Sequence, residues 1–240
     1  MQRMRAHIAA GSFMQFYEAN RSTLQQQDQD NPSVPPKRKK DLHPLTLNDY
    51  EVVVHPAGYG SIRQRSSGET MHSVVEPQVE AETLYIEQSS FRNLVQQKQE
   101  AEIVVWDVGL GAATNAMGAV LAYEALADEG LILRPVRIVS FENDLSPLKL
   151  ALHHPGYFPH LRHQAPHHLL KSREWQSRKA ALAWQLLFGD FPQRIADAPP
   201  ADLIFYDPFS YKTNAPLWGL DCLGKIAAQC AGKQTELFTY

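Results

Sequence analysis

The pattern of apolar and polar positions changes near residue 101, after which short apolar runs alternate with helical patterns. Strands are predicted over residues 103–108, 136–142 and 202–207 and within 183–188, and helices over residues 114–129, 145–153 and 217–231. This alternation is typical of a parallel sheet with helices on both faces. We therefore predict an α/β fold for residues 101–240, with a fifth strand beginning at Thr235.

Residues 44–100 have a shorter pattern, which predicts an N-terminal extension packed on the α/β core. Residues 50–54 and 59–63 are strand-like and flank the turn sequence His-Pro-Ala-Gly, which indicates a β-hairpin. After a polar loop, residues 79–92 carry apolar side chains near helical spacing, so a helix is predicted there.

Residues 1–43 are polar and interrupted by proline, and they include the basic run Lys37–Lys40. Such a segment buries too little apolar surface to offset its ordering entropy, so we predict a disordered tail. The basic run is interpreted as part of a solvated linker. Together with Arg63 and Arg65 it also offers candidate contacts to phosphate groups.

Charge and hydropathy limit the possible partners and location. The net charge of −3 excludes a global positive field that would gather nucleic acid, although a local basic patch would suffice. No apolar run approaches the roughly 20 residues that span a membrane, and no apolar stretch of secretory length follows the N-terminus. We therefore predict a cytoplasmic protein with no membrane partner.

A glycine loop follows the first predicted strand of the core. Gly109 and Gly111 allow the backbone to approach a ligand that a Cβ atom would exclude. A G-x-G sequence alone fits NAD, FAD or S-adenosylmethionine (SAM). Thr114 replaces the third glycine of the dinucleotide fingerprint, and the preceding acid Asp107 is more typical of SAM sites.

Acidic residues also follow the next two strands of the core. Glu142 ends the second strand, where a carboxylate can accept hydrogen bonds from ribose hydroxyls. Asp190 follows the third strand and is predicted to accept the adenine amino group, with Phe191 beside the ring. Because the ends of parallel strands meet at one edge of a sheet, these residues predict a single cofactor site.

The fourth predicted strand ends in Asp207-Pro208-Phe209-Ser210, which is similar to the D-P-P-Y/F motif of enzymes that methylate exocyclic amines. A carboxylate can orient such an amine and stabilise the ammonium that develops as the methyl group is transferred. An aromatic face can also stabilise the cationic centre. We therefore predict that Asp207 and Phe209 are catalytic.

The histidines between residues 153 and 168 raise the question of a metal site. Adjacent pairs such as His153-His154 direct their side chains apart on a regular element, and no cysteine and few acids lie among them. The segment is also interrupted by proline. We interpret these histidines as structural or solvated and predict no metal.

Taken together, these motifs resemble the methyltransferase of the MnmC type, which completes 5-methylaminomethyl-2-thiouridine at the wobble position of tRNA. The resemblance runs from about residue 45 to residue 240. It rests on residues 67–73, 80–89, 108–111, 141–142, 188–190, 207–210 and 214–218.

The resemblance implies a Rossmann-like SAM-dependent methyltransferase fold with SAM as cofactor. It implies that the glycine loop, Glu142 and Asp190 hold SAM, and that Asp207 lies at the methyl-accepting amine with Phe209 beside it. The implied partner is a tRNA anticodon loop, whose bases are already unstacked. The FAD-dependent oxidase domain of the fused enzymes has no counterpart in this sequence.

The chain departs from the family pattern in two places. The family loop is usually G-x-G-x-N, whereas here the asparagine is displaced to Asn115. The family also continues beyond the position of Tyr240 with a helix and a terminal hairpin. We therefore expect the methyltransferase domain of residues 101–240 to be incomplete at its C-terminus and only marginally stable.

The leading hypothesis is SAM-dependent N-methylation of the aminomethyl group of 5-aminomethyl-2-thiouridine at the tRNA wobble position. One alternative is another exocyclic-amine methyltransferase, such as an N6-adenine enzyme. The others are an inactive, truncated SAM-binding protein and a nicotinamide-dependent Rossmann oxidoreductase.

Overall fold

The computed structural model describes residue 7 and residues 9–24, 43–71 and 75–240, and its contacts divide the chain into Met1–Leu42 and His43–Tyr240. In the first unit, helix α1 spans Phe13–Leu24. The sequence analysis predicted a disordered tail over residues 1–43, whereas residues 13–24 of that segment form this helix. The run Lys37–Lys40 lies outside the described residues, so its disorder and its phosphate contacts stay predictions.

The N-terminal extension of the second unit begins with a small antiparallel sheet. Its strands are β1 (Thr46–Leu47), β2 (Tyr50–Val54) and β3 (Gly60–Gln64). Val52 pairs with Ile62 in the β2–β3 hairpin, and both side chains are buried. The predicted hairpin is confirmed.

A single helix was predicted over residues 79–92, but the helical structure there is interrupted. The segment consists of helix α2 (Pro77–Ala81), a π-helical stretch (Glu82–Glu87) and helix α3 (Phe91–Val95). Ser89 causes the interruption, because its hydroxyl donates to the Tyr85 carbonyl at 2.6 Å and accepts from the Phe91 amide at 3.2 Å. Local side-chain bonds of this kind compete with the helical ladder.

The core is a six-stranded sheet with the order β6-β7-β5-β4-β8-β9, in which every neighbouring pair is parallel except β6 and β7. The strands are β4 (Ile103–Val108), β5 (Val136–Glu142), β6 (Glu174–Gln176), β7 (Leu182–Phe188), β8 (Leu203–Tyr206) and β9 (Glu236–Phe238). The predicted strands are thus confirmed, and the fold is the predicted Rossmann-like α/β fold.

Helices cover both faces of this sheet. They are α4 (Thr114–Asp128), α5 (Ser146–Leu152), α6 (Gln164–Ser172), α7 (Phe191–Arg194), α8 (Tyr211–Asn214) and α9 (Leu220–Gln229). Strand β4 is buried throughout, with Val105 in the cluster that includes α4 and Trp106 in the cluster that includes α9. No helix among the described residues is long and apolar enough to cross a membrane.

The sequence pattern missed α6 and the antiparallel edge strand β6. Proline within the histidine-rich segment was taken as an interruption, but Pro166 lies in the first turn of α6, where its missing N–H costs no helical bond. His163 caps this helix, because its Nδ1 accepts the Ala165 amide at 3.1 Å. The histidine-rich segment therefore contains an ordered, capped helix.

The hairpin meets the core closely at Gly60, which provides a stability test. A Cβ atom at Gly60 would lie 2.8 Å from the Tyr157 Cβ, so Gly60→Ala should lower the free energy of unfolding by about 1–3 kcal/mol. Gly224 of α9 is exposed with open space around it, and Gly224→Ala should raise that free energy by about 0.5–1 kcal/mol. Urea denaturation of both variants measures the difference, and equal effects would contradict this packing.

Candidate active site

A cleft with a volume of about 240 Å³ opens at the carboxyl ends of the parallel strands. Strand β4 lies between β5 and β8, so the connections diverge at this point of the sheet, where α/β proteins bind their ligands. The lining includes Gly109, Gly111, Glu142, Asp190, Phe191, Asp207 and Phe209. The structure thus brings seven of the eight predicted site residues together.

The eighth predicted residue, Asp107, does not line the cleft. Its side chain is only 1% exposed, and its Oδ2 accepts the Ser140 hydroxyl at 2.5 Å. The same hydroxyl accepts the Trp184 indole N–H at 2.8 Å. Asp107 therefore belongs to a buried chain of hydrogen bonds between β4, β5 and β7, and this placement does not support its predicted contact with a cofactor.

The two glycines of the loop are required by space and by backbone geometry. Gly109 has φ +89°, and a Cβ atom there would lie 2.6 Å from the Asp207 carbonyl oxygen. Gly111 has φ +51°, and a Cβ atom there would lie 3.0 Å from the Met71 sulfur. Both positions therefore exclude ordinary side chains.

Glu142 connects the glycine loop to the end of β5. One carboxylate oxygen accepts the Gly111 amide at 3.0 Å, and the other accepts the Asn143 amide at 2.8 Å and the Asp144 amide at 3.0 Å. Burial raises the pKa of Glu142 above its usual value, although these three N–H donors lower it in part. The carboxylate that was predicted to bind ribose also fixes the loop.

Asp190 and Phe191 occupy different environments at the end of β7. Asp190 is exposed at the cleft, directly after Gly189. Phe191 is 5% exposed, and its ring packs edge-on against Phe141 with centroids 4.8 Å apart. Asp190 can reach a ligand, whereas the Phe191 ring is mainly part of the core beneath the cleft.

Asp207 is held by a residue that the sequence interpretation did not assign to the site. The Asn115 amide group, in the first turn of α4, donates to Asp207 Oδ2 at 2.7 Å. The displaced asparagine of the glycine loop was the signal that could have revealed it.

Burial raises the pKa of Tyr85 far above its usual value, and the negative charges of Asp207 and Asp107 add to the shift. The Tyr85 phenol is therefore neutral.

The loop after β8 is braced at two further carbonyls. Phe209 is half-buried, and its carbonyl accepts the Trp218 indole N–H at 2.8 Å. The Pro208 carbonyl accepts the Tyr240 hydroxyl at 3.3 Å. Burial, together with the charges of Glu69 and Asp207, raises the pKa of Tyr240 to about 12.

Three of the histidines between residues 153 and 168 contact backbone carbonyls. His160 Nε2 lies 2.9 Å from the Ala112 oxygen in the glycine loop, and His154 Nε2 lies 3.1 Å from the Pro44 oxygen. His167 Nε2 lies 2.9 Å from the Leu161 oxygen. Among residues 43–71 and 75–240, as in the described part of the N-terminal unit, no cluster of possible metal ligands occurs.

Comparison with known families identifies the type of domain. Residues 155–240 match a family model described as S-adenosyl-L-methionine-dependent methyltransferase. The match relates residues 155–240, which include Asp190, Asp207 and Phe209, to SAM-dependent methyltransferases. SAM is the cofactor of that family, whereas the glycine loop alone left NAD and FAD open.

Solved methyltransferase structures match this chain in the comparison of folds. The crystal structure of MnmC2 from Aquifex aeolicus matches with a TM-score of 0.54 and 21% identity, covering 76% of this chain and 57% of that protein. The chain thus spans little more than half the length of that structure. A SAM-dependent methyltransferase from Agrobacterium tumefaciens matches with a TM-score of only 0.37 and 13% identity, covering 81% of this chain and 54% of that one. No curated protein matches the chain.

The lining of the cleft is compatible with SAM. Gly109 and Gly111 line it without side chains of their own, and Glu142 and Asp190 line it with carboxylates that can accept hydrogen bonds from hydroxyl and amino groups. Phe141 and Phe191 supply apolar surface next to them. Glu142 and Asp190 would hold the ribose and the adenine, respectively.

The raised pKa of Glu142 gives a pH test for this part of the site. Because the folded state binds the proton more tightly than the unfolded chain, the Glu142 contribution to stability falls as pH rises from about 4.5 through the raised pKa. In Glu142→Gln, the free energy of unfolding should therefore decline less over this window than in the wild type. Urea denaturation across a pH series measures both slopes, and parallel slopes would contradict the shift.

Proposed function

We propose that this protein transfers a methyl group from SAM to the primary amine of 5-aminomethyl-2-thiouridine at the tRNA wobble position. The hydrogen bond from Asn115 to Asp207 Oδ2 is the observation that carries the proposal. It holds a carboxylate at the edge of the cleft, between the glycine loop and Phe209. The resemblance to the MnmC type supplies the substrate.

The residues of the chain have distinct parts in this proposed reaction. SAM, when bound, supplies an electrophilic methyl group on a sulfonium centre. Asp207 would accept an N–H of the neutral amine, direct its lone pair and stabilise the ammonium as positive charge develops. The Phe209 ring would face the same cationic centre. Asn115 would keep the Asp207 carboxylate in one orientation.

The proposed RNA partner places further demands on the surface. A splayed wobble base can reach the cleft without the cost of opening a duplex, since an anticodon loop is already unstacked. Arg65 is exposed and available to phosphate, whereas Arg63 forms an ion pair with Glu51 at 2.8 Å. Arg65 is therefore the better candidate of these two arginines for a phosphate contact. The cytoplasmic location stays a prediction.

The comparisons bear differently on the three alternative functions. The family match disfavours a nicotinamide-dependent oxidoreductase. Another exocyclic amine would use Asp207 in the same way, so the substrate distinguishes it from the proposal. An inactive SAM-binding protein would bind the cofactor and transfer nothing.

Substitution of Asp207 tests the proposed chemistry. Asp207→Ala should lower the rate of methyl transfer to wobble uridine by about 100-fold or more, because it removes the group that orients the amine. SAM affinity, measured by calorimetry, should persist. Asp207→Asn retains an acceptor for Asn115 but not the charge, so it should preserve stability without restoring activity.

The control for this prediction is Asp128→Ala, which changes an exposed carboxylate at the far end of α4. It should leave both binding and transfer unchanged. Mass spectrometry of wobble uridines from a deletion strain measures the substrate assignment directly, and unchanged methylaminomethyl levels would refute it. Loss of SAM binding together with activity in Asp207→Ala would mean that Asp207 holds the cofactor or the fold.

A further inference from the structure

Glu69, in the N-terminal extension, contacts the loop that follows Asp207, although Ser210 of that loop lies 141 positions later in the chain. Its Oε1 accepts the Ser210 amide at 2.7 Å, and its Oε2 accepts the Ser210 hydroxyl at 3.1 Å and the Thr213 hydroxyl at 2.6 Å. One carboxylate thus takes three hydrogen bonds from a four-residue stretch. Charge-assisted bonds of this kind are stronger than neutral ones.

The Glu69 backbone is itself fixed to the hairpin. The Gln64 amide donates to the Glu69 carbonyl at 2.9 Å, and the Met71 amide donates to the Ile62 carbonyl at 2.9 Å. These bonds pair residues 69–71 antiparallel with the last residues of β3, so the carboxylate projects from an ordered segment. The N-terminal extension therefore contacts the loop after β8 through a segment whose backbone is hydrogen-bonded to β3.

Glu69 does not line the cleft, whereas Asp207, Phe209 and Thr213 do. Glu69 therefore acts on a reaction in the cleft mainly through the loop it holds. Ser210 follows Phe209 directly, so a bond to its amide limits the rotation of the backbone that carries the Phe209 ring.

We propose that Glu69 is a positioning residue, which holds the loop 207–213 so that Asp207 and Phe209 face the methyl-accepting amine. The proposal rests on the proposed function for what the loop does, but the loop's dependence on Glu69 stands apart from any substrate. No part of the sequence motif around Asp207 supplies this carboxylate. The extension supplies it.

Hydrogen exchange tests the holding contact without a substrate. In Glu69→Ala, a peptide spanning residues 207–214 should exchange about 10-fold faster or more, because the Ser210 amide loses its acceptor. Peptides from β4 and β5 should exchange at the wild-type rate. Glu51→Ala is the matched control, since it removes a carboxylate of the same hairpin whose ion-pair partner among the described residues is Arg63.

Kinetics then test what the held loop does. Glu69→Ala should lower kcat for methyl transfer about 10-fold or more while the SAM dissociation constant changes less than about twofold. Glu69→Gln retains one acceptor oxygen and should recover part of kcat. Thr213→Val should slow the wild type but add little in the Glu69→Ala background, because both changes break the same contact.

The outcomes separate the two proposals. Unchanged exchange over residues 207–214 in Glu69→Ala would overturn the positioning role, whatever the enzyme's substrate. Faster exchange with an unchanged kcat would also overturn it. Failure of the wild type to methylate tRNA would refute the proposed function, and the exchange result would still decide whether Glu69 holds the loop.

Discussion

The close approach of two loops at Gly109 and Asp207 is the constraint on which the candidate site depends. The backbone at Gly109 lies so near the Asp207 carbonyl that a single Cβ atom would separate them. Strands β4 and β8 are neighbours in parallel, which brings their carboxyl ends together. Asn115 then bridges the remaining distance with a hydrogen bond. The glycine loop and the loop of Asp207 are thus one connected structure.

The acids at the carboxyl ends of the four strands have separate physical roles although they lie at one edge of the sheet. The Asp107 carboxylate accepts a buried hydrogen bond from Ser140, and the Glu142 carboxylate accepts the Gly111 amide of the glycine loop as well as lining the cleft. Asp190 remains exposed to a ligand, and Asp207 is oriented by Asn115. Whether a carboxylate at a strand end can bind a ligand therefore depends on which hydrogen-bond donors of the protein it already accepts.

Much of the core could be predicted because its strands are buried on both faces and read as continuous apolar runs. Seven of the eight predicted site residues line the cleft for the same reason, since strand ends fix their position along the sheet. Two failures came from local signals that were misread. Ser89 interrupts a helix through its own hydroxyl, and Pro166 lies in the first turn of a helix that proline was expected to exclude. The contact of Asn115 with Asp207 was missed because it depends on which loops meet.

The bonds that complete the site join residues very distant in the chain. Asn115 and Asp207 are 92 positions apart, and Glu69 and Ser210 are 141 positions apart. Contacts of such sequence separation close large loops, and the entropy lost in closing each loop must be offset by the contacts that it brings together. The pairing of β4 with β8 spans a similar separation, since Val105 pairs with Leu203. The cleft is therefore complete only once the hairpin and β8 have both reached their native places.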